Sequence, residues 1–383
     1  MDRKPHVAIV GAGIGGITAA VMLQKRGFAC EVYEQAPGFR RVGLGINLAP
    51  NSTRVFRAMG VESRALELGV QPRRKFNRAS ASGEILQEVP TTELARTYGA
   101  PFLAIHRGDL HQALASAVDP GMFRLGKRLV SIEPRQSEVG LAFEDGTTAR
   151  ADVVLGADGL HSKVREAILG TDPPDYYGHV AYRSIYPRSR LSGLELADNT
   201  RWIAPDGRYV LVYFLREARD EVYVVTGGAE PWRGDDFAPM DVPTRRLVDT
   251  FGDFHSDVLR ILGQCTEVSR WPMLVRPPRL PWCVGRIALL GDACHPTTPH
   301  MGQGGGMAVE DAVMFARCLD AVEGEDIELA FRLYEINRFE RTSRLKRDSE
   351  ADEWGRGGRI EHRWLYGYDV LHDPLQRQTQ TAS

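Results

Sequence analysis

Two glycine-rich turns, at residues 11–16 and 302–306, carry the residue types from which chemistry can be read. In the first, the apolar run His6–Val10 (HVAIV) passes straight into Gly11, Ala12, Gly13, Ile14, Gly15 and Gly16, and then into a helix-like run from Ile17 to Lys25. Gly27 sits where a helix-ending glycine is expected, and Ala29–Tyr33 (ACEVY) returns as a second strand ending at Glu34. Gly11, Gly13 and Gly16 match GxGxxG, and Glu34 follows Gly11 by 23 residues, close to the ~20 expected for an acid that binds ribose hydroxyls. Gly11 permits the sharp turn, Gly13 lets backbone amides approach a pyrophosphate, and Gly16 lets the helix lie close to the strand. The helix N-terminus then faces the anion. The unit reads as a dinucleotide-binding βαβ, and these residues alone leave FAD and NAD open.

The second turn is more specific. Arg286–Leu290 (RIALL) reads as a buried strand that runs into GDACHPTTPHMGQGGGMAVEDA, residues 291–312. Asp292 at the strand end can accept hydrogen bonds from polyol hydroxyls, Pro296 and Pro299 stiffen the connection, and Gly302–Gly306 expose backbone amides before a helix expected from about Met307. A helix N-terminus aimed at the pyrimidine edge of an isoalloxazine would stabilise the negative charge that develops when a flavin is reduced.

Taken together, GxGxxG, the internal Ala157-Asp158-Gly159 and GDAxHPxxPxxGQG, with HRGDL (His106–Leu110) and GxGINLAPN (Gly43–Asn51), resemble the single-component FAD-dependent aromatic hydroxylases of the para-hydroxybenzoate and salicylate hydroxylase type. The likeness extends over essentially the whole chain. The strings PHM (Pro299–Met301), RDE and VTG within residues 219–227, and YGYD (Tyr366–Asp369) are most similar to the hydroxynicotinate branch of that family. The resemblance implies FAD held by Gly11, Gly13, Gly15, Gly16, Glu34 and Gln35 at its adenosine and pyrophosphate end. Arg107 would lie along the cofactor, the main chain of Val130 would clasp adenine, Asp158 and Asp292 would contact the cofactor, and Pro299, Gly304 and Gly305 would meet the flavin ring. Arg107 equally fits an ion pair with Asp109, and Asp158 and Arg165 equally fit the capping and bracing of a helix.

The resemblance further implies an electron donor, NADH or NADPH, that visits the flavin without a second GxGxxG, and dioxygen as co-substrate. A reduced flavin that forms a hydroperoxide presents an electrophilic oxygen, so the substrate must be an electron-rich ring such as a phenol or hydroxypyridine, with or without a carboxylate. Deprotonating the substrate hydroxyl feeds the ring, and His300, in the flavin loop, is the candidate base. Tyr213 and Leu211, two residues apart on one strand, are expected to share a face and meet the substrate, Tyr213 by its hydroxyl and Leu211 as an apolar wall. Asn47 stands where the hydroxynicotinate enzymes carry a histidine. It can orient a substrate but cannot titrate, which leaves the substrate open; a substrate with a ring carboxylate would also allow hydroxylation with decarboxylation. His295 is read as holding the turn, and Arg40 and Arg41 as solvated or as steering an anion.

These residues need a scaffold. The expected fold is α/β: a Rossmann-like FAD-binding domain in three parts (1–75, 101–175, 275–320), an inserted antiparallel-sheet substrate domain (76–100 and 176–274), and C-terminal helices and tail (321–383). Strand-like runs RYVLVYF and EVYVVTGG, with Tyr176–Ile185 and Trp271–Leu274, supply the inserted sheet, and a pocket is expected between the two domains. The 383 residues bound the chain to about two domains. Lys+Arg 48 against Asp+Glu 50, with no basic block, argues against nucleic acid, and no apolar run approaches the ~20 residues of a membrane span. Five cysteines without a CxxC pair read as reduced, packed thiols, and no metal site is expected. The opening MDRKPHVAIVGAG shows no signal core, so a cytoplasmic location is expected, as a monomer or homodimer. Two rivals remain: another flavoenzyme on this scaffold, such as an epoxidase or halogenase, although no WxWxIP occurs, and a flavin-binding sensor without turnover.

Overall fold

The structure, a computed structural model, describes residues 4–41, 44–232, 237–322, 326–351 and 361–377. Gly43, the Gly/Arg-rich stretch from Gly355 to 360, and the last residues of the tail from 378 lie outside the described residues.

Short strands that are apolar on both faces build a parallel sheet covered on both sides. Its order is Cys283–Val284, Ile287–Leu289, Val153–Gly156, Val7–Val10, Cys30–Glu34, Phe123–Leu125, parallel except for the edge hairpin at Cys283–Val284. From Val7–Val10 the chain builds outward through Cys30–Glu34 and later returns on the other side as Val153–Gly156. The order therefore reverses beside Val10, and ligands of open parallel sheets bind at such a switch point, beyond the strand ends. Gly11 and Ala157 are the residues that emerge there, tied to the sheet through Gly11 N to Tyr33 O and Ala157 N to Val10 O, each 2.8 Å.

Helix Ile14–Gln24 is buried at every position from Ile14 to Leu23 and packs between this sheet and helix Gly304–Asp320. Both helices begin earlier than their sequences predict, at Ile14 instead of Ile17 and at Gly304 instead of Met307. Glycines expected to precede each helix form its first turn, because packing overrides their poor intrinsic propensity.

The second sheet has eight strands in the order Met240–Val242, Val268–Val275, Asp175–Pro187, Glu221–Ala229, Tyr209–Phe214, Asn199–Ile203, Lys75–Ala79, Ile85–Val89. Only the pair Asn199–Ile203 and Lys75–Ala79 is parallel. Along Tyr209–Phe214 the side chains alternate. Val210 and Val212 belong to a core cluster with Leu247, Phe251, Val258 and Ile261 of two covering helices, while Tyr209, Leu211 and Tyr213 line a cavity on the other face. Gly45, in strand Gly45–Leu48, brings the two halves into contact. A Cβ there would lie 2.5 Å from Tyr223 Cδ1 and 2.7 Å from the Tyr213 hydroxyl.

Candidate active site

The first glycine turn fits a bound pyrophosphate. Gly11 has φ +100°, and a Cβ there would stand 2.5 Å from the Ala157 carbonyl oxygen; at Gly16 it would stand 2.0 Å from the Gly11 carbonyl oxygen. These two glycines are demanded by the protein itself. Gly13 is different, since a Cβ there meets nothing within 4 Å. The helix it opens has no side-chain cap and no acid in its first turn, which leaves its positive end to an external anion. Glu34 braces the loop from behind: its carboxylate accepts from Ala12 N and Ala36 N, both at 2.8 Å. His111, lowered in pKa chiefly by burial, holds the Ala12 carbonyl oxygen at 2.5 Å.

The second turn stands against the first. A Cβ on Gly15 would lie 2.6 Å from Leu290 Cδ1 and 3.2 Å from Ala308 Cβ, and one on Gly305 would lie 2.8 Å from Ile46 Cδ1 and 4.0 Å from Ile14 Cδ1. Helix Gly304–Asp320 also lacks a side-chain cap and a first-turn acid, and it follows Gly302 at φ +64°. Asp292 is exposed just beyond strand Ile287–Leu289. Two uncapped helix ends, an open glycine and an exposed acceptor in one neighbourhood fit a flavin dinucleotide.

A buried charge network anchors that second helix. Wholly buried Arg338 donates to Asp311 at 2.7 Å and to Glu310 at 2.6 Å, and Arg341 bonds both Glu310 oxygens. Asn51 links Glu310, at 2.7 Å, to Gln303 at the helix start. Burial pushes the Asp311 carboxyl up, but His295 and Arg338 more than reverse this and hold it at about 2. His295 thus has the structural role expected of it, 2.6 Å from Asp311. Cys294, His295 and Asp311 converge closely enough for a metal, yet both Asp311 oxygens are already engaged by His295, Arg338 and Gly291 N.

Between this turn and the eight-stranded sheet lies a cavity of about 260 Å³, near the lower limit of ligand pockets, ~300–1,000 Å³. Strand register orders its wall. One row runs Arg201, Leu211, Val225, Arg183, and the adjacent row runs Asn199, Tyr213, Tyr223, Ile185. Lys75 stands beside Asn199, because Phe76 pairs with Thr200. Every one of these except Ile185 lines the cavity, with Tyr209. Burial raises the Tyr213 phenol well above its ordinary value and pushes Tyr223 up to about 12, with Arg183 opposing both shifts. Both remain protonated donors at neutral pH.

Of the residues expected from sequence, Asn47, Leu211, Tyr213, Asp292, Pro299, His300, Gly304 and Gly305 line this one cavity. His300 is 8% exposed, and its Nδ1 lies 3.0 Å from the Ser349 carbonyl oxygen. Asn47 accepts from Asn199 at 3.2 Å. Gln35 and Arg107 are exposed, and Asp109 pairs with Arg41 at 2.7 Å instead of with Arg107. Val130 is 61% exposed and falls at a register shift, where its main chain leaves the ladder. Two others have contacts within the protein. The Asp158 carboxylate accepts from Ser162 Oγ, Lys163 N and Val164 N at the start of helix Lys163–Leu169, at 2.5, 2.7 and 3.2 Å. Gly15 packs closely against Leu290 and Ala308. Sequence reasoning missed Lys75, Arg183, Asn199, Arg201, Tyr209 and Tyr223. The available signal was a cation at an alternating strand position, as in NTRWI.

The fold and site define a flavin-dependent oxidoreductase. The family described as "FAD binding domain" matches residues 4–347. The chain belongs to the FAD-dependent aromatic monooxygenases. It is 40% identical over 379 residues to 6-hydroxynicotinate 3-monooxygenase of Pseudomonas fluorescens, covering 98% of each chain. It is 37% identical to 3-amino-4-hydroxybenzoate 2-monooxygenase of Streptomyces cremeus, over 91% of this chain and 86% of that one. Among solved structures, Klebsiella pneumoniae HpxO complexed with FAD and uric acid superposes with TM-score 0.81 at 25% identity, over 96% of this chain and 92% of that one. No helix among the described residues is long and apolar enough to cross a membrane.

Proposed function

We infer that the protein hydroxylates a small hydroxylated aromatic or pyridine acid, with His300 as the base that takes the substrate's hydroxyl proton. The observation that carries this reading is a cavity bordered by the second glycine turn on one side and a wall of tyrosines and cations on the other. Three of its four lining residues with full charges, Lys75, Arg183 and Arg201, are cations, against Asp292. Such a lining favours an anionic ligand.

Bound FAD would accept two electrons as hydride from NADH or NADPH and, once reduced, would activate dioxygen. The chain's residues do the rest. A carbonyl can only accept, so the Nδ1 of His300 facing Ser349 carries the proton, and Nε2 is the basic nitrogen of the neutral ring. Tyr213 stays protonated and donates to a substrate oxygen. Asn47 has its carbonyl oxygen occupied by Asn199 and offers its amide N–H groups. Leu211 and Val225 form an apolar floor for the ring. Gly13, Gly16 and Glu34 shape the site for the adenosine and pyrophosphate end, and Gly304, Gly305 and Asp292 that for the flavin end. The five free thiols suit a reducing compartment such as the cytoplasm, where the enzyme acts as a monomer or homodimer.

The test is to load the protein with FAD and screen hydroxypyridine carboxylates, salicylates and hydroxybenzoates for NADH and NADPH oxidation, oxygen uptake and hydroxylated product by mass spectrometry. Stimulated oxidation coupled to product is expected for at least one acid. A flavin-loaded protein that no phenol or hydroxypyridine stimulates would overturn the reading. Loss of carbon dioxide from the product distinguishes replacement of a carboxylate from simple insertion.

A further inference from the structure

We propose that the cavity is built for a hydroxyaromatic substrate carrying two carboxylates, one met by Arg183 and the other by Lys75. The proposal rests on the hydroxylase reading above and narrows its substrate class.

Strand order places the two cations apart. Arg183 ends the row Arg201, Leu211, Val225, Arg183, on the strand Asp175–Pro187. Lys75 stands past the other side of the sheet wall, on the strand beyond Asn199–Ile203. Four strand spacings separate their backbones, roughly 19 Å. Both side chains line the same cavity, so they approach it from opposite sides. Between them lie Leu211 and Val225 as floor and Tyr213, Tyr223 and Asn199 as hydrogen-bonding groups.

Neither cation has a carboxylate within ion-pair distance among the described residues. Arg183 stacks on Trp271 with its guanidinium carbon 5.0 Å from the ring centroid, and its buried Nε has no hydrogen-bond partner. Lys75 lies with Nζ 4.8 Å over the Phe102 ring, and burial pushes its ammonium down to about 8. Aromatic faces hold both half-buried cations in place but neutralise neither, and a charge partly withdrawn from water gains from an anionic ligand. The third lining cation, Arg201, lies on the strand next to that of Lys75, with its guanidinium carbon 4.1 Å from the Tyr209 ring centroid and Nη1 3.5 Å from the His300 carbonyl oxygen. Cationic groups thus stand at both ends of one small cavity, which is complementary to a ring with an anionic group at each end.

The test compares matched ligands on the FAD-loaded enzyme by titrating the flavin absorbance without oxygen: 4-hydroxybenzoate and 3-hydroxybenzoate against 4-hydroxyisophthalate and 2-hydroxyterephthalate. At least one diacid is expected to bind tenfold or more tighter than its matched monoacid. In Lys75→Met the diacid should fall to the affinity of the monoacid, and Arg183→Met should weaken monoacid and diacid alike, with Arg183→Lys recovering part. A wild-type enzyme that binds no diacid tighter than its monoacid overturns the proposal, as does a diacid preference that survives Lys75→Met. The wild-type comparison needs no variant, so a misfolded Lys75→Met protein leaves the proposal open to refutation. If monoacids stimulate NAD(P)H oxidation but diacids gain nothing, this inference alone falls; if no hydroxyaromatic stimulates it, the hydroxylase reading falls first.

Discussion

The Nδ1 atom of His300 is fixed against the carbonyl oxygen of Ser349, a backbone group of helix Ile327–Ala351. That contact sets the tautomer of a cavity-lining imidazole from a helix 27 to 51 residues further along the chain. His300→Ala should slow hydroxylation by about 10²–10⁴-fold, the usual contribution of a positioned base, while FAD content is unchanged. Turnover across pH and flavin absorbance per protein measure the two effects. Equal turnover at every pH would remove His300 from the chemistry.

Gly13 and Gly16 should respond differently to the same replacement. Gly13→Val adds atoms to open space at an ordinary extended backbone, so the protein without cofactor should melt within a few degrees of wild type yet fail to retain FAD. Gly16→Val drives a side chain into the Gly11 carbonyl and should not yield folded protein. Full flavin occupancy in Gly13→Val would refute the pyrophosphate assignment.

Removing the Arg338 guanidinium should be severe. Arg338→Met leaves Glu310 and Asp311 buried with fewer partners, and breaking a buried pair this way costs about 3–5 kcal/mol. Urea unfolding followed by circular dichroism reads the loss. A change under about 1 kcal/mol would mean the network contributes little to stability.

Acid should weaken the same network. Asp311 titrates at about 2 in the folded protein against an ordinary 3.8, so it binds protons more readily when unfolded. Its contribution is complete above pH 3.8 and disappears as pH falls through about 2. Urea midpoints collected from pH 5 to pH 2 should drop over this interval more steeply in wild type than in Arg338→Met. Parallel curves would show that the pairing does not set the Asp311 titration.

Local turn chemistry made much of the cofactor side legible. Gly11 needs a positive φ, Gly16 needs a close approach, and both demands appear as glycine at fixed spacing. The sheet wall was less legible because its content lies in register. Nothing near Arg183 in the chain indicates that Val225, Leu211 and Arg201 continue its row, since the pairing of Arg183 with Val225 joins strands more than thirty residues apart. Strand Asn199–Ile203 was missed for the same reason: its polar positions face a cavity that only the folded sheet creates. Asp158 shows the converse limit, because a carboxylate beside a ligand turn and one beside a helix start look alike until the cap is seen.

The contact between Gly15 and Ala308 has a bearing on biosynthesis. The opening βαβ unit leaves the ribosome long before the helix that covers it has been translated. Until Gly304–Asp320 emerges, the apolar flank of Ile14–Gln24 stays uncovered and half of the coenzyme's receptacle is missing. A complete receptacle for the coenzyme therefore exists only after most of the polypeptide has been made.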